Sequence, residues 1–379
     1  MKILLAGGGT GGHINPAIAV ANIMKERHPD CNILFIGAEG RMEEKLVPQA
    51  GYDLKCLPGA GLSRKKNLEG LKHNIKVAGQ MLGLLGKCRK IIKEFKPDVI
   101  LGTGGYASFP ALMAGSQLGI PTVIHESNAM PGLTTRLTAQ WANKVLVCFE
   151  ASAKHYKDPE KVEVVGMPVR RDFIYADKKK AREELGLGDG PVVVSAFGSL
   201  GARAMNLCVA DMLTLEKENG YPFHHIHATG SYGWQWMPEH VKEAGVNLEE
   251  AKHIDMQEYI YNMPTVMAAA DLIISRAGAS SCNEIAATGT PCILIPSPNV
   301  TDNHQEKNAR VLADRGAAEL VLESECSGQV LYQKVTELLS DQQKRQEMTS
   351  ALYGVVVLDS AERICDMMEQ LAAQKQKKA

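Results

Sequence analysis

Three glycine- and serine-rich strings carry residue types suited to handling a diphosphate. Gly7-Gly8-Gly9-Thr10-Gly11-Gly12-His13 holds the spacing G-x-G-x-x-G through Gly7, Gly9 and Gly12. Glycines let the backbone approach phosphate oxygens, and a helix opening just after them offers unpaired N–H groups with partial positive charge. His13 stands at that opening, where an imidazole serves as a base or orienter beside a bound phosphate, or as a structural helix-end residue. The second string, Phe197-Gly198-Ser199-Leu200-Gly201-Ala202, is shorter. Ser199 there is either a phosphate donor or an ordinary N-cap. The third runs from Ser275-Arg276-Ala277-Gly278 through Ala279, Ser280 and Ser281 to Glu284. Its small residues expose backbone donors, and the Glu284 carboxylate suits the paired hydroxyls of a ribose; Ser281-x-x-Glu284 also has capping-box spacing.

Further polar strings follow apolar runs. Asp302-Asn303-His304-Gln305-Glu306-Lys307-Asn308 offers side chains for sugar hydroxyls, or a helix start with Asp302 as cap. Gly102-Thr103-Gly104-Gly105-Tyr106-Ala107-Ser108 and His125-Glu126-Ser127-Asn128 add donors, an acid and an imidazole. No D-x-D is present, and no histidine–cysteine cluster has metal spacing. The expectation is a site without metal or cofactor, in which helix N-termini, Arg170 and Ser199 meet the charge of a departing diphosphate.

These strings need strands to hold them. Lys2 to Ala6 reads as a short apolar strand, then the first glycine loop, then a helix over His13 to Lys25. Pro191 to Ala196, the Gly198 loop and a helix near Arg203 to Leu215 repeat that order about 190 residues later. Asn32 to Gly37, Asp98 to Gly102, Pro121 to His125, Asp271 to Ser275 and Pro291 to Pro296 are continuous apolar runs, the pattern of parallel strands covered on both faces. The fold class is α/β, with two Rossmann-like parallel-sheet domains facing each other across a cleft. Ligands in such sheets sit beyond the carboxyl ends of the strands. Val162 to Arg171 reads as a turn-rich link, and Ser360 to Ala373 as an amphipathic helix. The expected divisions are 1–164, 165–358 and 359–379.

Composition sets the outer bounds. A chain of 379 residues is long for one core and fits two. A net charge of −1 argues against a nucleic-acid partner, so any attraction to an anionic surface must be local. Nine scattered cysteines without a C-x-x-C pair fit reduced thiols. No signal peptide or spanning helix is legible. Between Leu62 and Lys93, nine basic residues, among them Arg64, Lys65, Lys66, Lys72 and Lys76, interleave with apolar ones against the single acid Glu69. That pattern suits an anionic membrane surface, or a solvated face over core leucines.

Taken together, the strings resemble the MurG family of transferases, which make lipid II from lipid I in peptidoglycan synthesis. The matches keep the family's order: Gly8 to His13 with Pro16, Gly102 to Tyr106, His125-Glu126, Gly166 to Arg170, Gly198 to Ala202, Ser275 to Gly278 with Glu284, and Gln305 to Ala309. The resemblance implies the GT-B fold with a C-terminal helix crossing back to the first domain. It implies UDP-GlcNAc as donor and lipid I as acceptor, on the cytoplasmic face of the inner membrane as a peripheral protein. Other wall-synthesis enzymes follow as partners by family analogy. By position, it places Arg170, Ser199, Ile260, Ala279, Ser280, Glu284 and Gln305 on the donor. It places Thr10, Gly11, Gly12, Gly104, Tyr106 and Asn128 on the acceptor side, with His13 as first choice of base and Glu126 as second. Met167, Leu200, Ser127 and His304 depart from the family pattern. A UDP-GlcNAc 2-epimerase, an inert sugar-nucleotide-binding subunit and a dehydrogenase are the competing readings.

Overall fold

The apolar run at the start of the chain becomes β1 (Lys2–Gly7), buried from Ile3 onward. The computed structural model describes residues 1–58 and 68–377, with the side chains of 68–78 and 376 outside that description. Arg64, Lys65 and Lys66 therefore lie outside the described residues. Around β1 stand β2 (Asn32–Ala38), β3 (Asp53–Leu57), β4 (Val99–Gly104), β5 (Thr122–Glu126), β6 (Lys144–Val147) and β7 (Val162–Val164). They form one seven-stranded sheet in the order β3-β2-β1-β4-β5-β6-β7, and every pairing is parallel. Val162–Val164, read from sequence as part of a link, is thus an edge strand paired to β6.

Alternation along these strands divides the core in two. Ile3 and Leu5 of β1, Val99 and Leu101 of β4 and Val123 of β5 pack under helix Gly11–Arg27 and helix Ser360–Gln376. Leu4, Ala6, Ile100 and Ile124 face the other way, onto Leu84, Leu85, Cys88 and Ile92 of helix Leu68–Phe95 and Leu112 of helix Ser108–Gln117. Helix Ser360–Gln376 contributes Ile364, Cys365, Met368, Leu371 and Ala372 to the first of these faces. Arg27 pairs with Asp366 at 2.6 Å, and Lys375 donates to the Pro97 carbonyl. The chain accordingly divides into one unit of Met1–Pro168 with Val357–Ala379, and a second of Val169–Val356.

The second unit repeats the plan. Its strands are β8 (Val192–Ala196), β9 (His224–Ala228), β10 (Ile254–Gln257), β11 (Leu272–Ser275), β12 (Cys292–Leu294) and β13 (Glu319–Leu320). Their order is β10-β9-β8-β11-β12-β13, again with every pairing parallel. Both sheets thus reverse their strand order beside the first strand. That switch point is where a doubly wound sheet leaves a crevice at its carboxyl edge.

One face of β8 and β9 carries a polar string rather than an apolar one. Glu216 Oε1 meets His225 Nδ1 at 2.7 Å, His225 Nε2 meets Ser195 Oγ at 2.7 Å, and Ser195 Oγ meets His227 Nδ1 at 2.7 Å. All four residues are fully buried, three on the sheet and Glu216 on helix Arg203–Glu218 above it. Sealed from any substrate, this acid–imidazole–hydroxyl array fastens the helix to the sheet. Burial lowers His227 to about 3, reinforced by neighbouring His225. In the unfolded chain the same imidazole takes its proton near pH 6.5. Between those values the unfolded state holds the extra proton, so stability falls as pH is lowered through that window. We expect the second unit to lose about 2 kcal/mol between pH 6.5 and 5. Urea titrations at several pH values check this, and a midpoint that rises on acidification would contradict it.

Candidate active site

In the first unit the carboxyl ends of β1 and β4 interlock. Gly105 has φ of 80°, and a Cβ there would lie 2.2 Å from the Gly8 carbonyl oxygen. Gly104 has φ of 102°, and a Cβ would lie 2.7 Å from the His13 ring nitrogen Nδ1. Only glycine lets the β4 turn pass so close beneath the first loop and its imidazole. His13 is the third residue of helix Gly11–Arg27 and is held from both ends by Thr103. Its Nδ1 lies 2.9 Å from the Thr103 carbonyl, and Thr103 Oγ1 donates to the His13 carbonyl at 2.7 Å. A carbonyl only accepts, so Nδ1 carries the proton and Nε2 is the basic nitrogen. Gly11 and Gly12 occupy the first turn, where backbone N–H groups lack intrahelical partners, and Thr10 is an N-cap without a side-chain cap bond. The Tyr106 hydroxyl is buried without a hydrogen-bond partner among the described residues, and burial raises its pKa.

Glu126 ends β5 and is buried. Its Oε1 accepts from the Asn128 backbone N–H at 2.9 Å and from Asn128 Nδ2 at 3.3 Å. Its Oε2 accepts from the Gly132 N–H at 3.0 Å and from the Thr135 hydroxyl. Four donors on two oxygens make this carboxylate the organiser of the 127–132 loop, of Asn128 within it and of the helix start at Leu133–Thr138. His125, fully buried, has Nε2 against the Gly166 carbonyl at 2.9 Å, and burial lowers its pKa.

One acid escaped the sequence reading. Glu43 is buried, and its carboxylate accepts from the Gly9 N–H at 3.0 Å and from the Ala38 N–H at 2.8 Å. A Cβ on Gly8 would lie 1.9 Å from Glu43 Oε1. One loop donor is thus committed to the protein's own carboxylate. Glu39 follows β2, the place where a dinucleotide-binding sheet carries its ribose acid, and is exposed. The Gly9 donor committed to Glu43 disfavours the dehydrogenase reading. The available signal was Gly37 and Gly8, each shaped around the Glu43 side chain.

In the second unit three bland readings fall to the helix boundaries. Helix Arg203–Glu218 is capped at Ala202, three residues beyond Ser199, which is exposed in the loop. Helix Ala279–Thr288 starts after Gly278, so Ser281 and Glu284 sit inside it and form no capping box. Helix His304–Ala313 has Asn303 as N-cap in the left-handed region, without a side-chain cap bond. Asp302 and Asn303, at φ of 53° and 50°, form a strained turn of the kind that clusters at ligand sites.

These boundaries leave polar groups unspoken for. The Ser280 hydroxyl, in the first turn of helix Ala279–Thr288, is buried without a partner among the described residues, and Ala279 precedes it. Glu284 lies one turn further on, its pKa raised by burial and opposed by the Arg170 charge. Arg170 is exposed and stacks over Phe173 at 5.2 Å. Gln305 Oε1 accepts from the Ser297 N–H at 2.8 Å, which orients its amide. Ile260 is buried in the loop between β10 and helix Met263–Ala269. The Gly198 loop locks onto the next turn, because a Cβ on Gly201 would lie 2.1 Å from the Thr229 carbonyl oxygen. Leu200, whose side chain cannot hydrogen-bond, is exposed there.

Comparison with known proteins places the chain in a family. The N-terminal domain model of glycosyltransferase family 28 matches residues 3–147, and the C-terminal domain model matches 192–370. The UDP-N-acetylglucosamine--N-acetylmuramyl-(pentapeptide) pyrophosphoryl-undecaprenol N-acetylglucosamine transferase of Acetivibrio thermocellus is 38% identical over 376 residues, 99% of this chain and 99% of that one. Its counterpart in Thermoanaerobacter sp. (strain X514) is 40% identical over 372 residues, 98% of this chain and 100% of that one. The crystal structure of MurG from Acinetobacter baumannii aligns with a TM-score of 0.76 at 25% identity, covering 97% of this chain and 99% of that one. The chain has the GT-B fold and belongs to glycosyltransferase family 28, among its UDP-N-acetylglucosamine--N-acetylmuramyl-(pentapeptide) pyrophosphoryl-undecaprenol N-acetylglucosamine transferases.

Proposed function

We propose that this protein transfers N-acetylglucosamine from UDP-GlcNAc to the 4-hydroxyl of the MurNAc sugar in lipid I, giving lipid II by a single inverting displacement. The observation that carries this reading is the match to transferases of that one activity along nearly the whole chain. The donor lies on the second unit. Its ribose is held by Glu284, its uracil by the backbone of Ile260, its diphosphate by Arg170, Ser199, Ala279 and Ser280, and its sugar by Gln305. Support comes from the unpartnered Ser280 hydroxyl and the oriented Gln305 amide. Thr10, Gly11, Gly12, Gly104 and Tyr106 serve the acceptor diphosphate. His13 Nε2 takes the proton of the attacking hydroxyl as the bond to C1 forms and UDP departs. Glu126 acts as a positioning residue for Asn128, since its oxygens already hold four donors. Purified protein with radiolabelled UDP-GlcNAc and a lipid I analogue should give labelled disaccharide product. An isomerised sugar nucleotide without acceptor, and no transfer, would indicate an epimerase instead.

The lipid acceptor requires a membrane surface, and we place the first unit on the cytoplasmic face as a peripheral protein. No helix among the described residues is long and apolar enough to cross a membrane. Leu82 on helix Leu68–Phe95 is 73% exposed, with Lys87, Lys90 and Lys93 following it. Leu133, Leu137 and Trp141, four residues apart, are also exposed. Apolar side chains beside cations suit an anionic bilayer. Changing Leu133, Leu137 and Trp141 together to serine is expected to weaken co-sedimentation with anionic vesicles about tenfold or more. Turnover of a water-soluble acceptor should hold steady; unchanged vesicle binding would remove these residues from the interface.

A further inference from the structure

Nine thiols are free, and six of them are buried. The half-buried remainder are Cys56, Cys208 and Cys326. Cys56 stands apart in β3, where burial and the Glu44 carboxylate push its thiol up to about 11. The other two meet, although they are 118 positions apart in the chain. Cys208 lies in helix Arg203–Glu218, and Cys326 precedes Ser327, the N-cap of helix Gly328–Ser340. The Cys208 thiol donates to the Cys326 carbonyl oxygen at 3.6 Å, which sets the two cysteines side by side. The backbones nearly touch beside them, since a Cβ on Gly328 would lie 2.4 Å from Asp211 Cβ and 2.8 Å from the Met212 nitrogen. A disulfide needs Cα atoms within about 7 Å, and this approach of the two segments favours one.

We propose that Cys208 and Cys326 form a hydroperoxide-sensitive dithiol that closes to a disulfide inside the second unit. Cys208 is the attacking sulfur. Cys326 beside it holds the Cys208 thiol below the usual value while Cys326 itself rises; burial and the Asp211 and Glu323 carboxylates oppose ionisation of Cys208. The Cys208 thiolate attacks one peroxide oxygen, breaking the O–O bond. This gives a sulfenic acid and releases hydroxide, which takes up a proton as water. Cys326 sulfur then attacks the Cys208 sulfur, the S–S bond forms, and the sulfenic oxygen leaves as a second water. Two thiols are oxidised and one peroxide is reduced to two waters. The bond would join the helix that begins at the Ser199 loop to a segment whose Glu323 pairs with Arg276. A dithiol reductant reverses the step.

The test uses the whole protein, folded, treated with hydrogen peroxide, quenched with an alkylating agent and digested without reduction. The expected product is a peptide pair joined through Cys208 and Cys326, released by dithiothreitol, with the six buried cysteines unmodified until the chain is unfolded. In Cys326→Ser, Cys208 should stop at a dimedone-reactive sulfenic acid and no disulfide should form. If that variant fails to fold, mapping of the wild-type chain decides alone. The proposal is overturned if Cys208 and Cys326 are both still alkylated after peroxide. It is equally overturned if Cys208 accumulates as sulfenic acid in the wild-type protein beside an alkylated Cys326.

Discussion

His13→Ala is expected to lower turnover about 10²- to 10⁴-fold while leaving the affinity for UDP within a factor of two or so. The asymmetry follows from where the groups sit. His13 belongs to the first unit and is held by Thr103, whereas the proposed donor contacts all belong to the second. With Nδ1 fixed against a carbonyl, the imidazole presents Nε2 as the nitrogen that accepts a proton. His13→Gln fills much of the same space over Gly104 and should lose nearly as much. Steady-state rates with a lipid I analogue, set beside UDP titrations of the same variants, separate the two quantities. Full turnover in either variant would take His13 out of the chemistry.

Glu284→Ala is expected to raise KM for UDP-GlcNAc about 10- to 100-fold, the worth of a charged hydrogen bond to a ribose diol, with kcat moved less. The free protein should show the opposite sign. Burial raises the Glu284 pKa, and the one compensating influence is the Arg170 charge. An ionised carboxylate in that setting costs native stability, so alanine should melt at the same temperature or higher. Loss of donor affinity with gain of stability marks a residue retained for its ligand. A variant that both unfolds early and binds UDP normally would show Glu284 to be structural. Since a raised native pKa means that protonation begins at higher pH than usual, donor affinity should also weaken on acidification before ordinary carboxylates titrate.

The parts of this molecule that the sequence announces are those where several residues agree. Continuous apolar runs place β1, β2, β4, β5, β8, β11 and β12, because a strand covered on both faces admits little else. The glycine turns are legible since close backbone approach leaves no alternative to glycine at Gly105, beneath the first loop, and at Gly201. By contrast β9, His224–Ala228, contains three histidines, and the pairing of His225 and His227 with Ser195 and Glu216 cannot be seen until the sheet forms. Strand β3 alternates Asp53, Leu54, Lys55 and Cys56 at a sheet edge and resembles surface loop. At the site, residue types such as Gln305 and Ser280 are legible from resemblance, but Glu43 and the saturation of Glu126 depend on tertiary hydrogen bonds. Cap assignment by spacing alone puts the cap of helix Ala279–Thr288 at Ser281, three residues beyond Gly278.

The helix Ser360–Gln376 lays six buried side chains into the core that helix Gly11–Arg27 and the first sheet share. A protein emerging from the ribosome in order therefore exposes Ile3, Leu5 and Val20 long before Ile364 and Met368 exist to cover them. The half that is synthesised first can finish folding only after the other half has been made, so the growing chain must tolerate an open apolar seam through most of its synthesis.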